Sequence, residues 1–127
     1  MPAPDQTLTS RAAVRVRRIY EGPAPGDGAR VLVDRVWPRG MSRERAALDE
    51  WCKAVAPSTE LRKWYSHDPD RWELFNQRYR EELEKSPERA EALAHLRELA
   101  AAGPLTLLTA TRRADISEAT VLAELLQ

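Results

Sequence analysis

The sequence predicts a small α/β fold, a short and mostly parallel β-sheet with helices packed on it. Two compact apolar runs, Val31-Leu32-Val33 and Leu105-Thr106-Leu107-Leu108, have the branched, continuous character of strands buried on both faces. The segment between them is written in helical grammar, with apolar residues recurring at three- and four-residue spacing. A further helical pattern follows the second run at once, so strands and helices succeed one another as parallel pairing requires.

In chain order, residues 1 to about 11 are polar and proline-containing and are expected to form a flexible tail, ahead of a single domain over residues 12–127. Val14-Arg15-Val16-Arg17 alternates with the period of a strand, and the phase breaks at Arg18-Ile19. Gly22 to Gly28 is a loop by its glycine and proline content, and it lacks the GxGxxG or GK[ST] spacing of a phosphate loop. The second strand runs from Val31 towards Val36 and ends in the turn Pro38-Arg39-Gly40. Asp49 is expected to cap a short helix through Trp51 and Val55, and Ser58 the next, carrying Leu61, Trp64 and Tyr65. Asp68-Pro69 and Ser86-Pro87 each set a side-chain acceptor at the N-cap and a proline at the first helical position. Trp72, Phe75, Tyr79 and Leu83 mark the buried stripe of the first of these helices, and Leu93, Leu96 and Ala100 that of the second, closed by Gly103-Pro104. After the third strand, Leu105 to Ala110, Asp115 is expected to cap the last helix, with Glu118 answering as its capping-box partner.

The chain has 127 residues, enough for one core, and its 20 basic side chains balance 20 acidic ones. Zero net charge argues against a nonspecific nucleic-acid binder, although nine arginines against four acids make the segment Arg11 to Arg45 basic. One cysteine, Cys52, excludes an internal disulfide and any CxxC metal knuckle, and suits a reducing compartment. No stretch reads as a signal peptide or a membrane span, so the expected setting is the cytoplasm. The only histidines, His67 and His95, lie far apart, and neither a metal nor a cofactor is expected.

Candidate chemistry gathers at two strand ends. Asp34, Arg35, Trp37 and Arg39 leave one strand; Thr109, Thr111 and Arg112 leave another, just before Ser117 and Glu118 open a helix. If the strands are parallel neighbours, hydroxyls, guanidiniums and N–H groups converge on a small anion, phosphate- or nucleotide-like. Asp34 is then the candidate catalytic acid or base, and Trp37 a pocket wall or a stacking surface. The bland alternative is an ion-pair network in which arginines satisfy Asp34 and tie strand to loop. A second functional reading is a non-catalytic module whose arginine-rich segment, Arg15, Arg17, Arg43 and Arg45, binds an acidic protein or nucleic acid.

The block from Arg30 to Gly40 (RVLVDRVWPRG) resembles the signature of the domain-of-unknown-function 488 family, the YeaO-like proteins. Ala56 to Trp64, Arg78-Tyr79 and Leu105 to Leu108 carry the same resemblance, which spans Val14 to Leu125. It implies a compact bacterial or archaeal α/β protein and no particular reaction. The chain departs from the family near its end. Members commonly read Tyr-Ala-Ala-Lys and then Asn-His-Ala, where this chain has Thr109-Ala110-Thr111-Arg112 and Ser117-Glu118-Ala119. Glu118 thus stands in place of the family's histidine.

Overall fold

The computed structural model describes residues 14–127, so the expected tail lies outside the described residues. Four strands, β1 (Val14–Arg18), β2 (Ala29–Leu32), β3 (Glu50–Trp51) and β4 (Leu105–Thr109), form one parallel sheet in the spatial order β1-β4-β2-β3. Five α-helices pack with it: α1 (Arg43–Ala46), α2 (Thr59–Tyr65), α3 (Trp72–Lys85), α4 (Pro87–Ala102) and α5 (Glu118–Leu126). The last strand in the chain is therefore a central one, inserted between β1 and β2 after the helical excursion.

β1 ends where its alternation breaks, and Ile19–Glu21 turns as a 3₁₀ helix. The loop after it returns at Gly28, which has a positive φ of 65° and lies so close to β4 that a Cβ would stand 2.2 Å from the Pro104 carbonyl oxygen. That proximity sets the register, because the Ala29 N–H donates to the same carbonyl at 3.0 Å.

The segment expected to form a helix from Asp49 is instead a short edge strand followed by a 3₁₀ turn, Lys53–Val55. The Asp49 carboxylate accepts from the Arg30 N–H, and the Cys52 N–H donates to the Leu32 carbonyl, so hydrogen bonds to β2 override the local helical spacing. The next starts follow the sequence. Ser58 accepts from the Leu61 N–H and Ser86 from the Arg89 N–H, while Asp68 caps a 3₁₀ turn, Pro69–Arg71, that leads into α3. Gly103 ends α4 in extended geometry, without the left-handed φ of a C′ glycine. At the last helix the expectation fails. Ala114–Ile116 is a 3₁₀ turn, Ser117 is the N-cap, and Glu118 is the first helical residue, so Asp115 and Glu118 form no capping box.

Side-chain alternation divides the interior. Val31, Val33, Leu105 and Leu107 face the larger core with Phe75, Tyr79 and Leu96, while Leu32 and Leu108 face a smaller cluster with Ile19, Met41 and Ala46. The Tyr79 hydroxyl donates to the Val55 carbonyl in the larger core. Glu82 of α3 accepts from the Ser58 N–H at 2.9 Å and from its hydroxyl, fastening the start of α2. No helix among the described residues is long and apolar enough to cross a membrane.

Candidate functional site

The sheet topology puts a cleft at the carboxyl ends of its central strands. From β2 the chain continues to β3 on one side; from β4 it continues to α5, which packs on β1 and β4 on the other. Diverging connections leave a crevice between adjacent strand ends, where α/β folds build their sites. Here it is a cleft of about 560 Å³. Asp34 to Arg39 follow β2, Ala110 and Thr111 follow β4, and Ser117 and Glu118 open α5; all of these line it. The opposing wall comes from Ala56-Pro57, from Arg62 to His67 at the end of α2 (Trp64 excepted), and from Phe75 of α3.

Asp34 sits at the floor. One carboxylate oxygen accepts from the Thr109 hydroxyl at 2.8 Å and the other from the Ala110 N–H at 2.8 Å. The Thr109 oxygen in turn accepts from the Thr111 N–H at 3.1 Å. The Asp34 carbonyl takes the Trp51 indole N–H at 2.7 Å. Among the described residues no arginine or lysine lies within ion-pair distance of the Asp34 or Glu118 carboxyl. The ion-pair network set out above as the alternative is therefore not what holds Asp34; hydroxyl and backbone donors do.

Glu118 closes this arrangement from the helix side. Its residue keeps some contact with the cleft, yet the protein around it strips water from the carboxyl. That desolvation, a hydrogen bond to Asp34 and the Asp34 charge together hold its pKa well above the usual carboxylate range, while its own backbone N–H and the Arg62 charge pull the other way. Glu118 is thus a carboxyl whose charged form is disfavoured, set beside the Asp34 carboxylate.

The cations around the cleft are the reverse case. Arg17, Arg30, Arg71, Arg80, Arg89 and Arg113 each pair with an acid elsewhere on the molecule. Among the described residues Arg35, Arg39, Arg62 and Lys63, all lining the cleft, have no such partner. Arg62 is the most exacting of them, because its Nε is buried without any hydrogen-bond acceptor. It is held beside the cleft by a tight end to α2. Ser66 and His67 both adopt left-handed backbone, φ 48° and 57°, which is rare for residues with a Cβ. The Tyr65 hydroxyl donates to the Ile116 carbonyl at 2.7 Å and its ring stacks on Phe75 at 4.2 Å, tying the end of α2 to the approach to α5.

Of the residues singled out from sequence, Asp34, Arg35, Trp37, Arg39, Thr111, Ser117 and Glu118 meet in this cleft. Thr109 lies buried beneath it, bonded to Asp34, and the Ser117 hydroxyl donates to the Ala114 carbonyl at 2.7 Å. Arg112 is exposed and is not a lining residue. Trp37 is wall: its indole N–H donates to the Met41 carbonyl, its ring meets Trp51 edge-on, and the Arg43 guanidinium lies over it. Arg62, Lys63, Ser66 and His67 were not singled out. Their sequence signal was Arg62-Lys63 inserted between Leu61 and Trp64-Tyr65, charges embedded in an otherwise buried helical stripe. Among the described residues no group of three or more His, Cys, Asp or Glu gathers as a metal site would.

A four-strand parallel sheet packed with helices places the chain among the small α/β proteins. More particularly, the chain belongs to the DUF488 family: residues 13–127 match the group described as the inactive DUF488-N3 subclade. It is 51% identical over 119 residues to the uncharacterized protein Rv3073c of Mycobacterium tuberculosis, covering 94% of this chain and 98% of that one. It is 38% identical over 114 residues to the uncharacterized protein YeaO of Escherichia coli K12, covering 90% and 96%. No solved structure matches the chain.

Proposed function

We propose that this protein binds a small anionic ligand, phosphate- or nucleotide-like, in the cleft between the ends of β2 and β4, and holds it without turning it over. The observation that carries this reading is the set of cations there that have no carboxylate partner among the described residues, Arg62 with its buried, unpaired Nε above all. A buried guanidinium N–H without an acceptor is costly, and an anion placed against it recovers that cost. Binding without turnover is favoured by the state of the two carboxyls. Each Asp34 oxygen is already engaged by a protein donor and the Glu118 carboxyl sits beside it in a desolvated position, an arrangement spent on the protein's own bonds more than on a free general base. The description of the matched subclade as inactive agrees with this.

The arginine-rich module fares less well. Arg17 turns inward onto Asp27, Arg15 reaches the same acid from the surface, Arg43 lies over Trp37, and Arg45 donates to the Gly40 carbonyl. Each of these side chains is already engaged by a partner within the fold.

The test is a thermal-shift and calorimetric screen with inorganic phosphate, pyrophosphate, adenosine monophosphate and citrate. At about a hundred times its Kd, a ligand stabilises the folded state by about 2.7 kcal/mol. The wild type and Arg112→Ala, whose substitution lies outside the cleft, are expected to shift equally. Arg62→Ala and Arg39→Ala are expected to lose most of the shift. A flat response of the wild type to every anion would overturn the proposal.

A further inference from the structure

The cleft contains a histidine. His67 lies just beyond α2 and lines the cleft together with Arg62 and Lys63 of that helix. It is exposed, and its ring stands 6.3 Å from the Tyr65 ring, centroid to centroid, in a tilted approach. Its backbone is held at φ 57°, directly after Ser66 at φ 48°, a costly conformation for two residues with a Cβ. Among the described residues no carboxylate lies within ion-pair distance of its ring, whereas His95 pairs with Glu50 at 2.8 Å. The acids nearest to it in the chain are engaged elsewhere: Asp68 pairs with Arg71 and accepts from the Asp70 N–H. Histidine is the side chain that ordinarily changes charge between about pH 5 and 8. Resting on the anion-binding reading above, we propose that binding in this cleft is linked to a proton on His67, so that the anion is held tightly while His67 is charged and released as the pH rises.

The groups that share the cleft with His67 fix the sign of the linkage. Arg62 comes from α2, and Arg35 and Arg39 from the loop after β2; arginine keeps its charge wherever proteins fold. Tyr65 gives its hydroxyl to the Ile116 carbonyl, and burial pushes its pKa up to about 12, so it stays neutral throughout. Tyr20, from the turn after β1, donates its hydroxyl to the Arg39 carbonyl. Phe75 of α3 carries no charge. On the approach to α5, Asp115 pairs with Arg113. The acids within the cleft are Asp34, whose oxygens accept from Thr109 and Ala110, and Glu118, whose charged form is disfavoured. Any charge that Glu118 gains as the pH rises repels an anion, in the same direction as loss of the His67 proton. Variants separate the two.

Calorimetric titration of the full-length chain with sulfate at pH 5.5, 6.5, 7.5 and 8.5, in dilute amine buffers, tests the linkage. Sulfate is shaped like phosphate, and its charge is constant over this range. The wild type is expected to lose at least about fivefold in affinity between the extremes, which one unit charge a few ångströms away supplies even at the dielectric of water. His67→Asn, which suits the left-handed backbone and carries no charge, should lose less than about twofold and match the wild type at pH 8.5. Inorganic phosphate is run alongside, and there the ratio of wild-type to His67→Asn affinity is read at each pH, which removes the ligand's own titration. That ratio is expected to fall from about five towards one. Far-UV circular dichroism establishes that the variant folds. Should it fail to, the imidazole proton resonances of the wild type decide, with His95→Gln assigning them. Saturating sulfate is expected to raise the titration midpoint of His67 by about 0.7 on the pH scale, the same fivefold seen from the proton's side, and to leave that of His95 in place. A wild type that binds equally at every pH, a His67→Asn variant as pH-dependent as the wild type, or an unmoved His67 midpoint would overturn the linkage while leaving anion binding standing. Failure of both sulfate and phosphate to bind at any pH would remove both proposals together.

Discussion

Glu118 carries an ordinary residue into an extraordinary setting. A glutamate at the first position of a helix normally gains from the unpaired N–H groups there, which favour its charge. Here the opposite prevails, because desolvation and the Asp34 carboxylate outweigh the backbone. The consequence for stability has a definite sign. The folded-state pKa of Glu118 is raised above the unfolded value, so the native state binds more protons between those two values and stability falls as pH rises through that window. The contribution is fully present below the unfolded pKa of about 4.3 and is lost as pH passes the folded value. Glu118→Gln mimics the protonated acid and removes this dependence. Urea denaturation at intervals from pH 5 to pH 9 is expected to show the variant gaining on the wild type as pH rises, at no more than about 1.36 kcal/mol per pH unit. Parallel pH profiles would show that Glu118 ionises as freely in the fold as out of it. Asp27 has the reverse sign: burial acts to raise its pKa, but the Ala24 N–H and the Arg30 and Arg17 guanidiniums hold it below the usual range. Its contribution is present above the unfolded value and is lost as pH falls through the folded one.

The elements show where local pattern decides and where pairing does. Helices α2 and α4 start at the serines the sequence marks, because an N-cap acceptor and, in α4, a first-turn proline act within a few residues. The edge strand at Glu50–Trp51 was illegible for the complementary reason: two residues carry no period, and the strand exists only because β2 presents an open edge to it. Glu118 was misassigned by the same logic. Asp115 and Glu118 have capping-box spacing, but Asp115 pairs with the exposed Arg113 guanidinium and the true helix begins three residues later. The strand-end half of the cleft was readable, since buried strands announce themselves and their polar termini follow. The α2 half was not, because nothing in a single sequence says which end of a helix meets which end of a sheet. Gly28 is the element-scale test of the register. It combines a positive φ with a backbone approach that a Cβ cannot share, so Gly28→Ala must either shift β2 away from Pro104 or rotate the loop. A loss of about 2–4 kcal/mol in chemical denaturation is expected, within the range of backbone-strain and overpacking substitutions. A variant within about 0.5 kcal/mol of wild type would mean that the loop approaches β4 less closely.

For the molecule as a whole, the junction of sheet and helices is recorded by a single thiol. Cys52 follows the edge strand, gives its N–H to the Leu32 carbonyl at 2.8 Å and packs in the larger core with Val33 and Val55. Burial pushes its pKa up to about 11, with the Glu50 charge adding to the effect and the Val55 N–H opposing it. At pH 8 only about one native thiol in a thousand is then ionised, and the reactive thiolate is enclosed besides. To label Cys52, a reagent must wait for β3 and the Lys53–Val55 turn to part from β2 and from α4, which packs on that turn. If these elements open only with the sheet, labelling reports global unfolding. The rate of reaction with an aromatic disulfide reagent at pH 8, followed across a urea series, is therefore expected to rise with the same midpoint as the far-UV circular dichroism transition. In the absence of denaturant it should fall several orders of magnitude below the rate of the unfolded chain. A fast native rate, or a labelling midpoint well before the loss of helix, would show that the edge strand opens on its own and that the sheet and helices do not share one cooperative core.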